Sequence, residues 1–227
     1  MQKILKFCEK YEHFFEKSIC KKIVNSNKLS SEKSFSENIQ YIIFPYDIET
    51  KKLLAEDVFK KKYPYTYKYL ESKKAILSTR DKGKKTYSSW YAFGRNQGFV
   101  FNQGKLFFPH IATRAFIPVY CDDNNMLFYN GMAAMAKDAN SLLFLKKIME
   151  SCIFWFYILS TSKPYGNDHY SLARNYIKNF GIPRISKEEL SVAILKPSDE
   201  FEKWLIQQYD LTLTDVELIK QFTSKDT

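Results

Sequence analysis

Two stretches carry side chains suited to gripping and reading a polyanion. The first is "RDKGKKTYSSWYAFGRNQG", residues 80–98. Lys82, Lys84 and Lys85 crowd one loop, and Lys105 follows a little later. Flexible ammonium groups neutralise phosphates and release counterions, which gives affinity without sequence information. Arg95, Asn96 and Gln97 lie between two glycines, Gly94 and Gly98. A planar guanidinium can pair with guanine O6 and N7, and amides can pair with adenine N6 and N7. The same arginine would equally serve as an ion pair or helix-end contact bracing a sheet. The rings of Trp90 and Tyr91 fit a core better than a stacking platform. The second stretch is "STSKPYGNDHY", where Lys163, Tyr165 and Asn167 combine a charge, a ring and a polar edge. His169 there suits a phosphate contact or plain solvent exposure, and Arg174 a phosphate or an internal acid. In a compact fold the two loops would face one groove.

Charge singles out the same region. The chain has 227 residues and a formal net charge of +10. Residues 60–105 hold twelve Lys or Arg against two acids, an excess equal to that of the whole chain. Residues 185–227 lean the other way, with five basic and nine acidic side chains. A solvated lysine-rich face is the bland reading of such a run. Aromatics and amides within it favour a nucleic acid.

Other chemistry finds little support. Phosphate-binding GxGxxG and GxxxxGK[ST] loops are absent, as is a GxSxG nucleophile elbow. Cys8, Cys20, Cys121 and Cys152 form no CxxC pair, and the three histidines are scattered, so no zinc spacing exists. The cysteines read as reduced thiols of a cytoplasmic protein. Asp122 and Asp123 in "CDDNN" read as a polar turn. The N-terminus is charged rather than signal-like. The most apolar run, residues 151–159, is too short to span a bilayer.

The elements that must position these residues follow from periodicity. Ile4, Phe7, Tyr11, Phe14, Phe15, Ile19 and Ile23 recur at helical spacing and predict an amphipathic helix over 2–24. Residues 25–38 read as a polar linker. "IQYIIFPYD" predicts a strand stopped at Pro45. A helix opens near Pro64 with Tyr69, Leu70, Ile76 and Leu77 inward. Short strands are predicted at "WYAF", "GFVF", "KLFFPHI", "AFIPVYC" and "NMLFYN". Residues 141–159 read as one buried helix, and the tail as two short helices joined at 210–214. The expectation is a mixed α/β (α+β) fold: a twisted, mainly antiparallel sheet with packed helices and helical N- and C-terminal extensions. The parts are residues 1–38 (helix and linker), 39–185 (the main domain) and 186–227 (a helical tail packing on it).

The ordered series "YIIFPYD", "YPYTYKYLESKKAILSTR", "WYAFGRNQG", "KLFFPHI", "YNGMAAM", "YGNDHYSLARNYIKNFGIPRI" and "YDLTLTDVELI" resembles the target-recognition half of adenine-specific DNA methyltransferases. These are type II restriction-modification enzymes with a TaqI-like C-terminal specificity domain. The resemblance spans about residues 14–222. It implies a target-recognition-domain fold and sequence-specific binding of double-stranded DNA. Asn-Pro-Pro-Tyr and the glycine-containing S-adenosylmethionine loop are not in the chain. The resemblance therefore implies no cofactor here, with S-adenosylmethionine held by a catalytic domain, in cis or as a partner subunit, and no membrane partner. A different class stays open: a scaffold domain whose basic segment 60–105 binds RNA or an acidic protein.

Overall fold

The computed structural model describes residues 5–8, 10, 12–29, 31–94 and 99–223. In chain order the elements begin with β1 (Leu5–Cys8), β2 (His13–Glu16), β3 (Cys20–Asn25), α1 (Glu32–Glu37) and β4 (Gln40–Ile43). Then come α2 (Glu56–Lys62), α3 (Pro64–Ser72), α4 (Lys74–Ser78), β5 (Gly104–Phe108), β6 (Ile111–Ala112) and β7 (Val119–Cys121). β8 (Leu127–Tyr129), β9 (Met132–Ala136), α5 (Ala139–Glu150), α6 (Cys152–Thr161) and β10 (Tyr170–Ser171) follow. The chain closes with α7 (Arg174–Ile177), α8 (Lys187–Ala193), α9 (Ser198–Gln208) and α10 (Leu213–Thr223). The mixed α and β class expected from the sequence is what forms, with small, mostly antiparallel sheets. These elements divide into two compact units. Unit 1 comprises Met1–Ile23, Gln40–Phe101 and Asn125–Leu127, and unit 2 comprises Val24–Ile39, Asn102–Asn124 and Phe128–Thr227.

Unit 1 is held together by rings. β1 and β2 form an antiparallel hairpin pairing Leu5 with Glu16 and Cys8 with His13. β3 and β4 pair antiparallel from Cys20↔Ile43 to Ile23↔Gln40. One aromatic cluster joins Ile19, Phe59, Tyr63, Tyr67 and Tyr91, and another joins Phe44, Tyr46, Phe99 and Phe101. Their contacts are largely edge-on, as ring quadrupoles favour: Phe44 meets Phe99 at 4.8 Å and 73°. Helix α3 opens on Pro64, whose missing N–H would be unpaired at that position anyway. The next two backbone amides, Tyr65 and Thr66, donate to the Glu16 carboxylate at 3.1 and 2.9 Å. The Thr66 hydroxyl adds a third bond at 2.6 Å. Glu16 is thus a buried cap delivered from a strand fifty residues upstream. A carboxylate suits this end of a helix, where free N–H groups and the dipole both favour negative charge.

Unit 2 is a three-stranded sheet ordered β7-β5-β9, antiparallel throughout. Every residue of the central strand β5 is buried. Phe35 of α1 stacks on Phe107, while Leu106 and Phe108 join the core with Leu142, Ile148, Trp155 and Ile158. Helix α6, "CIFWFYILST", is apolar nearly all round, as a helix enclosed in a core must be. Gly131 is needed for its backbone: φ is +79°, and a Cβ there would come within 2.8 Å of Ser26 Cβ. The Ser26 hydroxyl bonds the carbonyl oxygens of Phe108 (3.0 Å) and Met132 (2.8 Å).

Several expectations are corrected. Residues 5–8, 13–16 and 20–25 are strands, not a helix, so the helical N-terminal extension does not form there. On β2, Phe14 is exposed while Phe15 and the capping Glu16 are both buried, so the strand rests on its pairing with β1 rather than on a clean alternation. "WYAF" and residues 99–101 of "GFVF" form turns and loop rather than strands, while Gly98 lies outside the described residues. Side chains satisfy their backbone, as when Phe93 N–H donates to the Tyr46 hydroxyl at 2.6 Å. Ile76 points outward, 71% exposed. The run 141–159 is two helices, because Ser151 is extended (φ −75°, ψ 154°) and its hydroxyl accepts from Phe154 N–H. The linker contains α1, opened by a Ser31–Ser34 capping box. Strand β9 was not expected. The two tail helices, α9 and α10, form as read.

Glu16→Ala would leave buried N–H groups at the start of α3 without an acceptor. We expect a loss of about 2–4 kcal/mol in urea unfolding.

Candidate nucleic-acid interface

The lysine loop grows out of α3 and α4. A short 3-10 turn, Arg80–Gly83, contains Asp81 (φ 54°, ψ 27°) and Lys82 (φ 55°, ψ 30°), both left-handed. That conformation disfavours side chains with a Cβ, most of all at Lys82. Tyr87 holds the turn in place. Its hydroxyl donates to the Asp81 carboxylate, and the Arg80 guanidinium stacks on its ring at 3.8 Å. Lys84 N–H closes the turn on Asp81 O at 3.1 Å. Lys82, Lys84 and Lys85 are all exposed at this pinned tip.

The aromatics of the first stretch anchor it. Tyr91 is buried and donates to Leu54 O at 2.7 Å. Trp90 is half-buried, its Nε1–H donating to Glu56 at 3.0 Å beside the Tyr67 hydroxyl at 2.8 Å. Trp90 first, then Tyr67, hold the Glu56 carboxyl below the usual glutamate range. Lys74 sits 5.1 Å from the Trp90 ring centre. The expected base readers Arg95, Asn96 and Gln97 lie outside the described residues.

Lys105 is corrected. It is fully buried in β5, and its ammonium donates to Gln103 O (3.1 Å) and Asn124 O (3.2 Å). Burial pushes its pKa down. It closes the "CDDNN" turn from inside unit 2 and cannot meet a phosphate on the surface.

The second loop is a tight hairpin tip. Ser171 N–H bonds Lys163 O at 3.1 Å, and Tyr165 N–H bonds His169 O at 2.8 Å. Gly166, Asn167 and Asp168 all take positive φ. Lys163, Tyr165, Asn167 and His169 are exposed, with Lys163 Nζ 5.2 Å from the Tyr165 ring. The His169 ring is tethered through Nδ1 to Asn167 O at 2.6 Å. Arg174, at the start of α7, is exposed, and so is His110, which the sequence placed in an apolar run. The lysine loop belongs to unit 1 and this hairpin to unit 2.

The partition of charge is a feature that sequence inspection missed, because the units interleave along the chain. Unit 1 holds nineteen Lys or Arg against nine acids, while unit 2 holds sixteen of each. The whole excess of +10 therefore belongs to unit 1. No group of three His, Cys, Asp or Glu that could hold a metal occurs among the described residues. Nor is any described helix long and apolar enough to cross a membrane. No family model matches the chain, and no curated protein matches it.

Glycine adopts the Lys82 backbone conformation without strain, so Lys82→Gly should leave the melting temperature unchanged or raised while weakening polyanion binding. Lys105→Met should leave polyanion affinity unchanged while costing about 1–3 kcal/mol in urea unfolding, because Gln103 O and Asn124 O lose their donor. For Glu56, a depressed folded pKa gives stability that is complete above the unfolded value of about 4.3 and lost as pH falls through the folded one. The stability gap between wild type and Glu56→Gln should therefore shrink between pH 7 and about pH 3.

Proposed function

We propose that this chain is the double-stranded DNA recognition module of an adenine-N6 methyltransferase in a type II restriction-modification system. The motif order described above suggests the class, including the target-recognition-domain fold. The charge partition is the observation that carries the DNA-binding part. A polyanion is the ligand that makes use of one unit with a net charge of +10 when the other is neutral. The pinned loop presents Lys82, Lys84 and Lys85 to the phosphate backbone, setting register. Arg95, Asn96 and Gln97 read base edges, and the Lys163–Asn167 hairpin adds a further contact. The methyl donor, S-adenosylmethionine, and the chemistry on a flipped adenine belong to a catalytic domain, in cis or as a partner subunit, in the cytoplasm.

Fluorescence anisotropy with a labelled duplex across a salt series tests this. Affinity should fall steeply with salt, and Lys84→Ala should reduce the slope of log K against log salt by about one. Arg95→Ala should weaken sequence preference more than total affinity when a catalytic domain is supplied. Salt-insensitive duplex binding, or tighter binding to RNA than to duplex DNA, would overturn the reading in favour of a scaffold.

A further inference from the structure

Unit 1 contains a cavity of about 620 Å³, within the range of small-molecule sites. Phe15, Tyr69, Tyr91 and Phe93 contribute rings to its wall, and Gln40 an amide. Among its described lining residues, Lys10 and Arg80 are basic and none is acidic.

Arg80 is the unusual member. Its Nε and Nη2 are buried and make no hydrogen bond. These two nitrogens share one edge of the guanidinium, the edge that meets a carboxylate or phosphate through two parallel bonds. The stack on Tyr87 at 3.8 Å fixes the plane of the group. The nearest acid in sequence, Asp81, is engaged by the Tyr87 hydroxyl instead. A guanidinium desolvated at two donors without an acceptor is costly. Arg80 lines the cavity, and an oxyanion that reached this buried edge from it would remove that cost, while the flanking rings would cover a flat apolar body.

We propose that this cavity binds a small aromatic acid, a planar ring bearing one carboxylate or phosphate, with the oxyanion on the Arg80 edge. This ligand is distinct from the duplex gripped by the lysine loop, and the two can be measured separately.

Calorimetric titration of the full chain tests the proposal. Adenosine 5′-monophosphate and indole-3-carboxylate serve as the phosphate and carboxylate probes. Adenosine, indole and inorganic phosphate are the controls. At least one anionic ring should bind about tenfold or more tightly than both its uncharged counterpart and inorganic phosphate. The stronger probe identifies which oxyanion the site prefers. Arg80→Lys keeps the charge but loses the two-pronged edge, and should weaken that binding by about tenfold or more. Because Arg80→Lys could also loosen the Tyr87 stack, the wild-type Arg80 Nε–H resonance provides a second readout. It should shift on addition of the bound probe. The proposal is overturned if no anionic ring outbinds its controls, if a folded Arg80→Lys protein binds as wild type does, or if the Arg80 resonance does not move at saturation.

Discussion

Unit 1 depends on a carboxylate placed against the start of a helix. Glu16 ends strand β2, and its oxygens accept from Tyr65 N–H, Thr66 N–H and the Thr66 hydroxyl. Through that contact a strand sets where α3 begins. From α3 the chain runs through α4 into the turn that carries Lys82, Lys84 and Lys85. Unit 2 uses the same device. Glu202 of α9 accepts from Cys152 N–H at 3.1 Å, where α6 begins. Both helices start at an acid supplied by a different element: α3 has no local side-chain cap, and in α6 Ser151 caps Phe154 N–H while Glu202 takes Cys152 N–H.

Around these anchors the two units solve different problems. Unit 1 packs aromatic side chains whose polar ends still find partners, as Tyr91 does with Leu54 O and Trp90 with Glu56. That allows a small unit to bury much area while carrying the excess positive charge. Unit 2 is neutral and built on an apolar helix pair over a covered strand. Its buried ammonium, Lys105, is tolerated because two backbone carbonyls receive it.

How much was legible from the sequence varied by element for physical reasons. Strand β4 was readable because Pro45 and a β-branched run bound it. The helices α9 and α10 were readable through their periodicity. The N-terminal strands were not, because the spacing of Phe14, Phe15, Ile19 and Ile23 satisfies a helical period as well as a broken strand pattern. Pairing across the hairpin, a long-range contact, decided between them. "WYAF" looked like a strand because it is an aromatic run bounded by turn residues. Tyr91 is buried and Trp90 and Phe93 half-buried, but the backbone is satisfied by side-chain and turn bonds. At the site, the exposure of Lys82, Lys84 and Lys85 was legible from the glycine and charge around them. The burial of Lys105 was not, since both faces of β5 are covered and strand alternation loses its meaning there.

Composition and local pattern already contained the mixed class, the basic middle segment, the ring-rich core and the exposed lysine turn, because these follow from residue type and near neighbours. Which segments share a unit came only from folding, since units 1 and 2 are interleaved. So did the gathering of the net charge on one of them, the distant acids at two helix starts, and the unpaired edge of Arg80. Each depends on groups far apart in the chain that meet only once the backbone has closed around them.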